Sequence, residues 1–184
     1  MIITNAGGTD FSTFISDDEL KLWLRIDHDD DDAIVQAARA AAFEFVQSYC
    51  QVYFGTQVIT AYLDGYYNGR LMVSQIDSVT SVEIIASGST DYATLDTSKY
   101  TADVVSSQPR VWFQGAPSLV ADRYHPVKVI MSGGYTTSNV PEQLLLAVKN
   151  YAAHLYENRM AVTPAKLIEK PMGIYTMLSQ YRSL

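Results

Sequence analysis

The chain has 184 residues, 48% hydrophobic and 18% charged, which supplies a folded core and excludes a disordered chain. Its net charge of −7 argues against a sequence-reading nucleic-acid binder, which needs a basic footprint. Cys50 is the only cysteine, so an intrachain disulfide and a cysteine metal cluster are excluded and a reducing compartment is expected.

The charge is unevenly spread. Residues 1–35 hold nine acids against Lys21 and Arg25, whereas residues 141–184 hold five bases against three acids. The first twenty residues lack Lys and Arg and have no continuous apolar stretch, so no signal peptide is expected. No run reaches the length of a membrane span, and a cytoplasmic protein is expected. Thirteen tyrosines suit strands and subunit interfaces better than catalysis.

Residues 1–15 are polar and Gly-containing and read as a flexible arm. "SDDELKLWL" then opens a helix: Ser16 and Glu19 form a capping box, and the acids of the first turn suit the helix dipole. Leu20, Trp23 and Leu24 share its apolar face. A second helix is predicted to start within the run Asp29–Asp32 and to end near Tyr49 or Tyr53. Ile34, Ala38, Ala41, Phe45 and Tyr49 mark its inner face, widened by Ala37, Ala42 and Val46.

From residue 56 to 132 the pattern changes to short β segments: "TQVITAYL", "RLMVS", "SVEIIA", "KYTADVV", "RVWFQ" and "VKVIMS". Turn pairs such as Asp64-Gly65, Asn68-Gly69, Ser87-Gly88, Gln108-Pro109 and Gly133-Gly134 separate them, and an antiparallel sheet or small barrel is expected. "NVPEQLLLAVKNYAAHLYENR" follows as a long helix, with Asn139 as its cap, Pro141 in the first turn, and Leu144, Val148, Tyr151 and Leu155 facing inward. A loop with Pro164 and Pro171 leads to a short last helix, "GIYTMLSQYR".

The chemical motifs point away from an enzyme. Counted from Asp27, an EF-hand loop would need glycine at its sixth position and glutamate at its twelfth, but Asp32 and Ala38 stand there. One aspartate at the helix cap and the rest in the first turn is the simpler use of the run. His154 and Glu157 are three apart on a helix, but a helical di-metal site needs a second such pair, and none exists. The histidines His28, His125 and His154 form no H-E-x-x-H, and neither G-x-S-x-G nor a phosphate-binding glycine loop is present. No catalytic residue, metal or cofactor is therefore expected. "DGYYNGR", residues 64–70, reads as a hairpin tip, with an aromatic sugar-binding loop as its alternative.

Three segments carry a resemblance. They are "DDELKLWLRIDHDDDDAIVQAARAAAFEFV", "VKVIMSGGYTTSNVPEQLLLAVKNYAAHLYENR" and "KPMGIYTMLSQYRSL". In their order and spacing they resemble the bacteriophage head-tail connector family, also called neck adaptor or head-completion proteins. The shared features are a lysine-containing helix, a Leu-Arg-Ile-Asp step, an acidic cluster and an Ala-rich helix. A Gly-Tyr turn, a Val-Pro helix start, a Tyr-Glu-Asn-Arg ending, Pro-x-Gly-Ile and a terminal Leu-x-x-Tyr-Arg complete the pattern. Gln180 departs from it, standing where the family often has proline, and the β section is longer than in short all-helical members.

The resemblance implies a non-enzymatic structural protein of the virion neck, made in the host bacterial cytoplasm. It implies a ring homo-oligomer, a dodecamer in the virion, on the portal protein after DNA packaging, serving downstream neck, stopper or tail proteins. Packaged DNA only passes through, and no membrane is involved. The C-terminal segment would contact the portal, which points to Ile174, Tyr175, Leu178, Tyr181 and Arg182. Asp27, Asp29, Asp30, Asp31 and Asp32 would serve a subunit interface or line a channel that keeps DNA mobile. The expected fold is α+β: residues 1–15 as the arm, and 16–184 as a single connector domain, helical over 16–55 and 139–184 with a β insertion at 56–135. The alternative function is a carbohydrate- or receptor-binding phage module built on the tyrosine-rich β region.

Overall fold

The computed structural model describes residues 2–6, 8–66, 71, 73, 75–106, 109–158 and 172–182. In chain order the elements are β1 (Ile2–Ala6), α1 (Asp17–Leu24), α2 (Asp32–Cys50), β2 (Gln57–Leu63), β3 (Ile76–Ile84), β4 (Ala93–Thr94), β5 (Tyr100–Asp103), β6 (Arg110–Phe113), β7 (Val127–Gly133), α3 (Glu142–Glu157) and α4 (Met172–Leu178). Helices thus flank an inserted set of antiparallel strands, the α+β order read from the sequence. The chain divides into two compact units: a sheet unit of Gly55–Tyr135 with the first strand, and a helical unit of Thr9–Phe54 and Thr136–Arg182.

The sheet unit contains an open five-stranded sheet, ordered β1-β2-β7-β3-β4, and the β5–β6 hairpin. Alternation drives it. Gln57, Ile59, Ala61 and Leu63 point inward from β2, and Val127, Val129 and Met131 do so from β7. The register pairs Ile59 with Met131, Ala61 with Val129 and Leu63 with Val127, so one face of both strands is dry. Two register shifts in β3, between Ile76 and Ser78 and between Val79 and Ser81, absorb its polar first half. Val82 and Ile84 then meet Val129 and Val127.

Sequence periodicity found only the second half of β3, since "DSVT" has no apolar alternation. It missed β1 and the two-residue β4. In the expected strand "RLMVS", residues 70, 72 and 74 lie outside the described residues, while Leu71 and Val73 are buried without strand pairing. Residues 1–15, expected as an arm, contain a strand that pairs with β2 from Ile2↔Tyr62 to Ala6↔Val58, and a fully buried Ile15.

The helical unit packs α2 against α3, with α1 and α4 alongside. Ser16 caps α1 as expected, its Oγ accepting from the Glu19 backbone N–H at 3.1 Å. Arg25 ends that helix in the left-handed region, φ 59°. On α2 the buried stripe is Val35, Ala38, Arg39, Ala42, Phe43, Val46 and Cys50. It is rotated from the expected face: Ala37 and Ala41 are exposed, and Ile34, Phe45 and Tyr49 are half-buried. The cause is Phe43, whose ring stacks on Phe11 at 4.5 Å and meets Phe54 edge-on at 4.7 Å, pulling its side of α2 inward.

On α3, Leu144, Ala147, Val148 and Ala152 are buried, with Tyr151 and Leu155 at the edge. Asn139 does not cap this helix. Its Oδ1 accepts from the Thr136 N–H at 2.7 Å and closes the preceding turn, leaving Pro141 at the cap position.

Candidate functional site

The aspartate run forms the turn between α1 and α2 and the start of α2. Asp31 occupies the N-cap of α2, yet its side chain makes no capping hydrogen bond. The expected capping role is therefore replaced by longer-range contacts. Lys21 Nζ donates to Asp29 Oδ1 at 2.5 Å and to Asp32 Oδ1 at 2.8 Å, tying the turn back to α1. The Tyr156 hydroxyl donates to Asp31 and ties it to the end of α3. Elsewhere Arg39 holds Asp17 and the Ile15 carbonyl, and Lys149 holds Glu19 at 2.5 Å. Asp27 and Asp30 are exposed and have no ion-pair partner among the described residues.

The run is thus split between an internal clasp and two outward carboxylates. A cation site needs convergent oxygens, and among the described residues no three His, Cys, Asp or Glu side chains converge. Hydrogen bonding and charge from Lys21 hold the Asp29 carboxyl below the usual carboxylate range. The same two carboxylates, Asp29 first, push the Lys21 ammonium pKa up. The sign of the pH effect follows from these directions. The Asp29 share of stability is present above its unfolded pKa, about 3.9, and is lost as pH falls through its lower folded value. The Lys21 share is present below about pH 10.4 and is lost only above that. In Lys21→Met the drop in urea midpoint from pH 7 to pH 3 is expected to be smaller than in the parent chain. An equal drop would show that the clasp adds nothing.

The second expected site is the C-terminal segment. Ile174 and Leu178 are buried, 3% and 0% exposed, so the apolar face of α4 is occupied within its own unit. Tyr175 meets Phe45 at 5.9 Å and Tyr49 at 5.2 Å between ring centres. The Tyr181 hydroxyl donates to Gln143 Oε1 at 3.2 Å, and Arg182 lies over the Tyr49 ring at 5.4 Å. Of the five residues, Arg182 is exposed and Tyr175 and Tyr181 are half-exposed. Beneath α4 lies Cys50, fully buried, with Sγ 3.7 Å from the Leu178 carbonyl oxygen. Burial pushes its thiol pKa up to about 11, against a smaller pull from Arg182.

In the sheet unit, Tyr66 packs on Phe113 at 4.9 Å and its hydroxyl donates to the Pro117 carbonyl at 2.7 Å. It is committed inward; residues 67–70 of the same loop lie outside the described residues. His125 belongs to this unit beside Asp64, whereas His28 and His154 belong to the helical unit. Among the described residues no helix is long and apolar enough to cross a membrane.

Comparison with known proteins adds a family match over part of the chain and a shared fold over all of it. Residues 16–86 match the family described as phage gp6-like head-tail connector protein. No curated protein sequence matches the chain. Among solved structures, a chain of the virion of a native gene transfer agent (GTA) particle is 17% identical. It superposes with a TM-score of 0.77 over 100% of this chain and 96% of its own. A chain from the neck of an empty GTA particle, computed with C6 symmetry, is 18% identical with a TM-score of 0.76 and the same coverage. A third, from the neck of a native GTA particle computed with C12 symmetry, is 17% identical with a TM-score of 0.73, again over 100% and 96%. Residues 16–86, from α1 through β3, thus match the phage gp6-like head-tail connector family, in a chain whose whole length has the fold of these GTA chains.

Proposed function

We propose that the chain is a structural, non-enzymatic head-tail connector of a virion neck. The observation that carries this is the conjunction of the connector-family match at α1–β3 with a full-length fold shared with GTA neck chains. The C6 and C12 symmetries of those necks support assembly of this chain as a ring of copies. Its partners in this reading are the portal protein on one side and downstream neck, stopper or tail proteins on the other, with packaged DNA only passing through. The exposed Asp27 and Asp30 serve a subunit junction or the channel wall, while Asp29, Asp31 and Asp32 brace the turn that presents them.

The C-terminal segment is the proposed portal contact. Tyr181 and Arg182 offer it surface groups directly, but Ile174 and Leu178 can touch a partner only if α4 leaves α2 and α3. Cys50 reports which occurs, because a buried thiol with a raised pKa reacts slowly. In the isolated protein, labelling of Cys50 by a thiol-reactive disulfide is expected to be at least about 100-fold slower than in the unfolded chain, as opening a buried site requires local unfolding. On portal-bound protein, accelerated labelling means that α4 is released and its apolar face used. Continued protection restricts the contact to the surface residues. Unchanged portal binding by a Tyr181→Ala, Arg182→Ala variant, with Cys50 still protected, would remove this segment from the contact.

A further inference from the structure

The outer face of α3 is bordered by two hollows. Glu142, Leu146, Lys149, Ala153 and Glu157 follow the spacing of a single helical stripe, and none of them is fully buried. On one flank a hollow of about 500 Å³ lies between Lys149, the α1 residues Glu19, Leu22 and Trp23, and Arg25 just past the end of α1. On the other, a hollow of about 360 Å³ lies between Ala153, Glu157 and the α4 residues Gly173 and Met177. Leu22 is 80% exposed, Trp23 45% and Leu146 37%, so the stripe and its α1 wall present apolar side chains to water. Gly173 keeps the α4 wall low, with no atom within 4 Å of where a Cβ would stand.

Charge indicates the occupant. Glu142 and Glu157, at the two ends of the stripe, are exposed and have no ion-pair partner among the described residues; fifteen residues of helix separate them by about 22 Å. Lys149 in the middle is already neutralised by Glu19 and lies 5.7 Å from the Trp23 ring centre. The trough is therefore apolar along Leu22, Trp23 and Leu146, carries the Lys149–Glu19 pair and the Arg25 cation near its middle, and has acidic groups without an ion-pair partner among the described residues at both ends. Among the described residues no helix offers the complement: α1 is acidic, α4 has no charged residue, and α2 and α3 each carry more acids than bases.

We propose that the outer face of α3, between α1 and α4, is a docking trough for an amphipathic helix of another protein, about four turns long, apolar along one face and basic near both ends. Such a helix buries its apolar stripe on Leu22, Trp23, Leu146 and Met177 and places its cations against Glu142 and Glu157. The inference goes beyond the connector reading, since a chain can assemble as a ring with or without this trough occupied.

The test uses a synthetic 18-residue Lys/Leu amphipathic peptide, a scrambled peptide of the same composition and a Glu/Leu counterpart. The full chain carries Trp112→Phe, so Trp23 is the sole fluorescent tryptophan. The expected result is saturable binding of the Lys/Leu peptide with a blue shift of Trp23 and none with the other two peptides. Glu142→Lys with Glu157→Lys should weaken that binding at least about tenfold. Glu44→Lys, exposed on α2, should leave it unchanged. No saturable binding, equal binding of the scrambled peptide, or binding indifferent to the Glu142 and Glu157 reversals would overturn the proposal. So would self-association of the protein that Leu22→Asp abolishes, because a second copy would then occupy the trough. None of these outcomes bears on whether the chain joins heads to tails, which particle morphology decides separately.

Discussion

Phe43→Ala is expected to destabilise the helical unit by about 3–5 kcal/mol, the range for removing a buried aromatic ring. Phe43 is fully buried and touches three other rings: Phe11 stacked at 4.5 Å, Phe54 edge-on at 4.7 Å and Phe14 tilted at 6.1 Å. These rings come from the 3-10 turn before α1 and the residue after it, from α2, and from Phe54 four residues beyond the end of α2, so the cavity would loosen segments that this ring cluster packs together. Set against a typical domain stability of about 5–15 kcal/mol, such a loss removes from about a fifth to all of it. Urea denaturation followed by far-UV circular dichroism measures it. A loss under about 1 kcal/mol would show that the cluster is not the core of this unit.

Gly133→Ala is expected to cost about 3 kcal/mol through a clash rather than a cavity. A Cβ on Gly133 would stand 2.4 Å from the Gln75 carbonyl oxygen and 2.8 Å from Ile76 Cα, both backbone atoms with no side chain free to swing away. Relief would have to come from moving Gln75, which already holds a left-handed φ of 58°, or from breaking the Gly134 N–H bond to the Gln75 carbonyl at 2.9 Å. Either route disturbs the bulged start of β3 against β7. Gly173→Ala is the matched control, with open space at its Cβ and a helical position that favours alanine. Thermal melts of the two variants check the contrast, and equal melting temperatures would refute it.

Local signals in the sequence specify an element where the structure uses them locally. Ser16 announces α1 because its cap is made three residues away, and the alternation of "VITAYL" and "VKVIMS" announces β2 and β7 because one face of each is dry. Asn139 is a local exception, its side chain closing the preceding turn at Thr136 instead of capping α3, but most of what the sequence leaves hidden depends on partners distant in the chain. Arg39 looks like a solvated charge on α2, and it is buried because Asp17 and the Ile15 carbonyl, more than twenty residues earlier, receive its guanidinium. β1 lacks apolar alternation over a length that propensity can detect, and its pairing comes from β2, more than fifty residues on.

The same distinction governs the candidate site. The amphipathic face of the last helix is visible as Ile174 and Leu178, but its own α2 and α3 are what that face meets, which periodicity alone does not specify. The aspartates were legible as a helix start. That Lys21 and Tyr156 would take up Asp29, Asp32 and Asp31, leaving Asp27 and Asp30 outward, depends on how α1 and α3 flank the turn.

The most direct test of the connector role is electron microscopy of lysates after deletion of this gene from the genome that encodes it. DNA-filled heads lying apart from finished tails are the expected result, with joined particles restored when the chain is supplied in trans. Normal tailed particles in the deletion lysate would contradict it.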